Sequence, residues 1–345
     1  MPFLPLLLVL ADPMPGPLKS FGDWAVACDN QHRCEMTSLI PEDGDNVPAD
    51  GQGYEDFSFS IVRDPGPAGA LTIVVEPYGE VTGKVSLRID GKVLASGTLL
   101  ASKDLRISGA PAAAIVAAMV QGRDMTINDA KGDRIGRASL AGSSAAMRFI
   151  DADQGRAGTV TALVARGTKP ASSVPAAMTG PVVRYVRPAG TPMKITPALR
   201  KAMDGATGCD DNYEGGEGDP PAVDAFAIGG GKTLALLPCG SGAYNYSSVP
   251  FILAPGAKPV IAGFDFPPGL TSSEDGEPTL VNASFDAKTA TLSSYSKGRG
   301  IGDCGAAEDY VWDGTKFRLI AARAMGECRG SINWLTIYRA GALAK

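Results

Sequence analysis

The chain has 345 residues, a formal net charge of −5, 44% hydrophobic and 20% charged residues, 43 glycines and 26 prolines. That length exceeds one ordinary core and suits two domains, and so much glycine and proline favours turns and short strands over long helices. The acidic balance, with no run of five like charges, excludes the basic footprint that nucleic-acid binding needs.

The chain opens MPFLPLLLVLADP, where nine of the first eleven residues are apolar and Val9 and Ala11 hold the small-residue positions before Asp12. This is the apolar region and exit of a secretory signal, here residues 1–11, without the usual basic start. The expectation is a leader that begins upstream of Met1. The stretch is too short to span a bilayer, and no later segment offers eighteen consecutive apolar residues.

From residue 18 to 167 short strands and turns alternate. FGDWAVAC, FSFSIV and LTIVVEPYG read as strands, with Phe21 and Trp24 as core candidates. KVSLRIDGKVLASGTLL carries Asp90-Gly91 between alternating apolar residues, a hairpin signal. SGAPAAAIVAAMVQG reads as a helix with Ser108 or Gly109 as cap, Pro111 in its first turn and Gly122 at its stop. MTINDAKGDRIGRASL is a further hairpin, GSSAAMRFIDADQGR a short helix capped by Ser143 or Ser144, and TVTALVARG a closing strand. The expected first domain is therefore sandwich-like with small helices.

TKPASSVPAAMTGP, residues 168–181, is rich in Pro, Ser and Ala and reads as a linker. The second domain, 182–341, opens with TPALRKAMDGA, a helix capped by Thr196, with Pro197 in the first turn and Gly205 at its end. Hairpins follow: one turning at Gly229–Gly231, one near Asp286–Thr289 and one at Asp313-Gly314. SINWLTIYRA is the last expected strand. The fold class is mainly β, a β-rich α+β arrangement of two antiparallel-sheet domains stapled by disulfides.

The six cysteines, Cys28, Cys34, Cys209, Cys239, Cys304 and Cys328, allow fifteen pairings. Their distribution points to sequential pairs, each local to one hairpin or loop, as an oxidising compartment would keep them. A loop of about 25 residues closed in this way contributes roughly 3 kcal/mol. No CxxC occurs and His32 is the only histidine, which argues against zinc, a cysteine–histidine engine or a Ser-His-Asp triad. CDNQHRC, residues 28–34, has five residues between its cysteines and no evident helix after them, so it reads as a static hairpin disulfide. GGGKT at 229–233 lacks the first P-loop glycine, since Phe226 stands there, and reads as a hairpin tip. CDDNYEGGEGD, 209–219, is rich in carboxylates but has Pro221 where the calcium loop needs Glu, so it reads as a solvated acidic loop.

KGRGIGDCG, residues 297–305, packs four glycines, two cations, Asp303 and Cys304 into nine positions. It reads chiefly as a turn stapled by a disulfide, with Lys297 and Arg299 as possible anion contacts beside a nest of backbone N–H groups. GAYNY, 242–246, sets Tyr244 and Tyr246 around Asn245; buried they are core, exposed they recognise a sugar or peptide, and the core reading is preferred.

Taken in order, FGDWAVACDN, SLAGSSAAMRFIDADQGRAGTVTALVARG, LPCGSGAYN, KGRGIGDCG, YVWDGTKFRL and CRGSINWLTIYRA resemble the bacterial exported proteins of domain-of-unknown-function family 1176. The Asp-Trp pair, the early cysteines and SLAG before an alanine-rich helix also resemble the invasion-associated locus B domain. The resemblance implies a cell-envelope protein, periplasmic or secreted, and transfers no catalytic residue, cofactor or metal. The functional expectation is a non-enzymatic binding protein for another envelope component. Its contact would be Lys297, Arg299 and Asp303, with Tyr244 and Tyr246 as neighbours. The alternatives are a carboxylate-dependent hydrolase of cell-wall sugar or peptide, using Asp210–Asp219 or Asp303, and an inhibitor of a hydrolase.

Overall fold

The computed structural model describes residues 12–41, 57–101, 103–209, 221–266, 268–269 and 277–345. The apolar leader, residues 1–11, and the acidic loop, 210–220, lie outside the described residues.

The first half runs β1 (Leu18–Phe21), β2 (Trp24–Cys28), β3 (Cys34–Ser38), β4 (Phe57–Arg63), β5 (Leu71–Pro77), β6 (Gly83–Ile89), β7 (Lys92–Leu99), β8 (Leu105–Ser108), helix α1 (Gly109–Met119), β9 (Asp124–Asn128), β10 (Arg134–Ser139) and helix α2 (Ser143–Asp153). Its strands make two antiparallel sheets, ordered β1-β2-β3-β4-β5-β8 and β10-β9-β6-β7. Period-two patterning decides what each buries. Trp24 and Val26 of β2, Phe57, Phe59 and Ile61 of β4, and Val85, Leu87 and Ile89 of β6 share one core with Ile115 of α1 and Met147 and Ile150 of α2.

Three local expectations in this half need correction. FGDWAVAC is two strands, β1 and β2, because Gly22-Asp23 turns the chain between Phe21 and Trp24. Gly142, not a serine, caps α2; a Cβ there would stand 1.8 Å from the Phe21 carbonyl oxygen. TVTALVARG is not a strand. The buried Asp151 carboxylate accepts from the N–H groups of Leu163, Val164 and Ala165 at 2.7–2.9 Å, which bends this stretch into a loop. The buried Arg156 holds the same loop to Asp64 and Gly66 through their carbonyls. The stretch 168–181 continues along this half, with Val174 buried.

The second half runs β11 (Val182–Tyr185), helix α3 (Pro197–Thr207), β12 (Asp224–Gly229), β13 (Lys232–Ser241), β14 (Tyr246–Leu253), β15 (Val260–Ile261), β16 (Leu280–Val281), β17 (Ser284–Asp286), β18 (Thr291–Lys297), β19 (Gly305–Trp312), β20 (Phe317–Met325), β21 (Leu335–Arg339) and β22 (Gly341–Ala344). β12 to β15, with β16 on β14, form one five-stranded sheet and β17 to β21 another. α3 ends at Gly208, in the left-handed region with φ 67°, rather than at Gly205. β21 is not the last strand: β22 pairs in parallel with β11 and closes the half on its own first strand. Alternate residues of β13 face two cores: Leu234 and Leu236 pack toward β19 and β20, and Ala235 and Leu237 toward Met203 of α3. Three disulfides, Cys28–Cys34, Cys209–Cys239 and Cys304–Cys328, staple the chain. Among the described residues no helix is long and apolar enough to cross a membrane.

The halves meet along the outer face of the first sheet. In WAVAC the large residues serve the first core, while Ala25 and Ala27 join Leu335, Ile337 and Tyr310 in the second. In FSFSIV the phenylalanines point inward, and Ser60 receives the Asn333 amide at 2.8 Å. Asn333 also donates to Glu35, and Asn30 exchanges two hydrogen bonds with the Arg339 backbone. Removing the Asp151 carboxylate with Asp151→Ala orphans three backbone donors. We expect a loss of about 3 kcal/mol in unfolding free energy, with a smaller loss for Asp151→Asn, measured by urea titration.

Candidate functional site

KGRGIGDCG joins β18 to β19 and is fixed from three directions. The Cys304–Cys328 disulfide ties it to the loop before β21. Asp303, fully buried, takes both nitrogens of an Arg299 fork, with Arg299 Nε at 2.6 Å, and the Gly330 N–H at 2.7 Å. The Trp334 indole donates to the Gly302 carbonyl at 3.1 Å. Hydrogen bonding from Arg299 holds the Asp303 carboxyl below its ordinary range against the cost of burial. The N–H groups of Gly298 and Gly302 bond to Cys304 and Arg299 carbonyls within the loop. Gly298 is required by space, since a Cβ there would lie 2.6 Å from Cys304 Sγ.

The partner loop explains CRG. Arg329 donates to the Ile40 and Gly22 carbonyls at 2.7 and 2.8 Å and pairs with Asp23, all in the first half. Gly330, φ 77°, would drive a Cβ to 2.2 Å from Ile40 Cδ1. Asp303, Cys328, Arg329 and Gly330 thus link the glycine loop to the seam between the halves.

The same loop supports an exposed aromatic platform. The Asn245 side chain donates to the Lys297 carbonyl and accepts from the Lys297 N–H, at 2.9 and 3.2 Å. The Tyr244 hydroxyl donates to the Gly298 carbonyl at 3.2 Å. Asn282, in the left-handed region at φ 45°, donates to the carbonyls of Tyr244 and Tyr295 and accepts from the Tyr246 N–H. Tyr295 stacks on Trp334 at 4.7 Å, and Lys297 Nζ stands 5.9 Å from the Tyr295 ring. Outward from this frame stand Tyr246, 64% exposed, and Ile301, 70% exposed.

The loop and GAYNY are therefore together, in altered roles. Tyr246 is surface rather than core. Asp303 is a buried structural acceptor, and Arg299 is engaged with it. Lys297, Tyr244 and Tyr246 belong to the platform. Asn245, Asn282, Tyr295, Ile301 and Trp334 complete it. GAYNY and SYSKG hold five of these residues, Tyr244, Asn245, Tyr246, Tyr295 and Lys297, whereas nothing in LVNAS marks Asn282 as the junction.

Elsewhere, the GGGKT hairpin tip sets Lys232 over the Trp312 ring and onto the Gly314 carbonyl. His32 pairs with Asp153 at 2.9 Å. A cleft of about 500 Å³ beside β5 is lined by Glu76, Tyr78, Glu80 and Asp104. Burial pushes the Glu76 carboxyl up, and the charges of Asp104 and Glu35 add to that. Inside the second core, Glu308 accepts from the Gly269 N–H, while among the described residues its other oxygen and the Tyr310 hydroxyl have no hydrogen-bond partner.

The chain matches the family described as protein of unknown function (DUF1176) over residues 18–341. It belongs to that family. A curated relative, the uncharacterised protein YpfG of Escherichia coli strain K12, is 30% identical over 365 residues, covering 97% of this chain and 95% of its own length. A crystal structure of invasion associated protein B from Bartonella henselae aligns over 40% of this chain and 99% of its own, at 19% identity and a TM-score of 0.28.

Two outcomes follow from these environments. Arg299→Ala leaves the buried Asp303 carboxylate with fewer donors. We expect lower stability at neutral pH and a difference that shrinks at strongly acid pH, where the carboxylate protonates, read from urea titrations. Glu308 is pushed up to about 7 by burial. Its ionisation opposes folding, so stability falls as pH rises from its ordinary range toward 7 and is level above. Glu308→Gln is expected to exceed the parent by up to about 3 kcal/mol at pH 8 and to match it at pH 4.

Proposed function

We propose that the chain is a non-enzymatic binding protein of the bacterial cell envelope, and that the platform of Tyr244, Tyr246, Tyr295, Lys297 and Ile301 is its contact surface. The observation that carries this reading is the pairing of exposure with fixation. Tyr246 and Ile301 stand free in solvent, yet the backbone beneath them is held by Asn245, Asn282 and the Cys304–Cys328 staple. A backbone already ordered adds little ordering cost on binding, and an exposed tyrosine beside a cation is a typical anchor. Small-molecule sites enclose most of their ligand. Groups that project to 64% and 70% exposure suit a macromolecular partner instead.

The apolar leader and the three disulfides support an exported, oxidising location. The two domains, 18–167 and 182–341, belong to the same proposal: each would carry most of its own core and meet the other at a seam where polar contacts flank Ala25, Ala27 and Leu39.

A second reading, a carboxylate-dependent hydrolase, draws on the Glu76 cleft rather than on Asp303. There a raised carboxyl stands in a cleft with Asp104 and Glu80. The two readings separate experimentally. With a photo-crosslinking residue at Ile301 in the periplasm, a discrete adduct should form and should fall at least tenfold on adding Tyr246→Ala. The same crosslinker at Val160 should give none. No adduct from Ile301, together with peptidoglycan cleavage abolished by Glu76→Gln, would reject the binding reading in favour of the enzyme.

A further inference from the structure

We infer that the outer face of the four-stranded sheet in the first half is a second ligand site, built for a phosphorylated sugar. The sequence KVSLRI sends Val85, Leu87 and Ile89 into the core and so turns Lys84, Ser86 and Arg88 outward. Cross-strand pairing sets Ser96 opposite Ser86 and Thr98 opposite Lys84. The turn between β9 and β10 brings Lys131 to the same place. That turn is rigid: Asp129 accepts the Lys131 and Asp133 N–H groups at 2.9 Å, and the Asn128 amide donates to the Gly132 carbonyl at 2.9 Å. These residues line a groove of about 640 Å³.

Charge is what distinguishes this groove from an ordinary solvated sheet face. The chain carries net −5, and several of its arginines are taken up by carboxylates: Arg33, Arg137, Arg200, Arg299, Arg318, Arg329 and Arg339 all are. Among the described residues Lys84, Arg88 and Lys131 form no ion pair, and the Arg88 guanidinium donates to the Ser86 hydroxyl at 3.3 Å. The single carboxylate of the lining, Asp129, spends one oxygen on its own turn. Three cations without a carboxylate partner among the described residues leave this face locally positive, a field that favours an anionic ligand.

The class of anion follows from the donors. Three hydroxyls interleave with an arginine fork and two ammonium groups. A phosphate, with close to two charges and three acceptor oxygens, uses such a set more fully than a carboxylate does. Lys84 and Arg88 are four residues apart on one strand, about 13 Å, so a ligand that reaches both is longer than a lone phosphate. The hydroxyl-rich floor suits a sugar between them. The groove's lining contains no aromatic side chain, so it offers no stacking platform for the bases of a single-stranded nucleic acid.

The test is calorimetry and NMR titration of the whole protein with glucose 1,6-bisphosphate, glucose 6-phosphate, glucose, sodium phosphate and a single-stranded oligonucleotide. The expected result is saturable binding of the bisphosphate, weaker binding of the monophosphate and none of glucose. Affinity should fall as salt rises. Lys84→Glu/Lys131→Glu should weaken bisphosphate binding at least tenfold at an unchanged melting temperature, and Arg88→Gln should do so in part. Three results would overturn the inference: no saturable sugar-phosphate binding, phosphate alone binding as tightly as the bisphosphate, or the oligonucleotide binding more tightly than either. Undiminished binding by Lys84→Glu/Lys131→Glu, with shifts mapping elsewhere, would overturn it equally. The site lies in the opposite half from the aromatic platform, so neither outcome depends on the envelope-binding reading.

Discussion

The carboxylate of Asp303 is the junction on which the arrangement depends. A buried anion is tolerable only with donors around it, and here they come from two segments: the Arg299 fork in its own loop and the Gly330 N–H across the Cys304–Cys328 bridge. Satisfying that one group fixes the glycine loop against the segment before β21. The next residue along, Arg329, then reaches carbonyls and a carboxylate in the first half. Charge satisfaction at one residue is thereby converted into a defined placement of two sheets.

This mode of joining adds directed contacts to an apolar patch that includes Ala25, Ala27 and Leu39. Ala25 and Ala27 contribute small contacts that let β21 approach closely, but orientation comes from Asn30, Asn333, Ser60 and Arg329. Hydrogen bonds have direction where hydrophobic burial has none. A polar seam therefore specifies one relative placement at modest net stabilisation. On the far side of the same junction, Trp334 supports Tyr295 by stacking and the loop by its indole N–H. The exposed platform and the hidden seam are two faces of one construction.

Much of this was legible in the residues, and what was not has physical causes. Hairpins announced themselves wherever alternation met a glycine turn, as at Asp90-Gly91, where both residues have positive φ. The mainly β fold with short helices followed from that repetition. TVTALVARG misled because its β-branched residues resemble a strand, while three backbone N–H groups were claimed by a carboxylate twelve residues upstream. GSSAAM misled because a serine cap is the usual choice, and a close approach by Phe21 selected glycine instead. At the site, the density of KGRGIGDCG marked the right place, but charge alone could not tell a ligand contact from a satisfied internal pair. Arg299 and Asp303 look alike in sequence under either role; only the burial of Asp303 separates them. Asn282 was invisible because its importance lies in which backbone groups converge on it.

Amide hydrogen exchange on the Cys304→Ser/Cys328→Ser variant tests the junction most directly. If the staple and Asp303 couple the glycine loop to the seam, protection should fall together at Gly298, Gly330 and Ile40, whose N–H groups bond to Cys304, Asp303 and Arg329. Ile73 in β5, on the far side of the first sheet, should keep its protection. Loss confined to residues 298–304, with Ile40 unchanged, would contradict the account and reduce the bridge to a local staple.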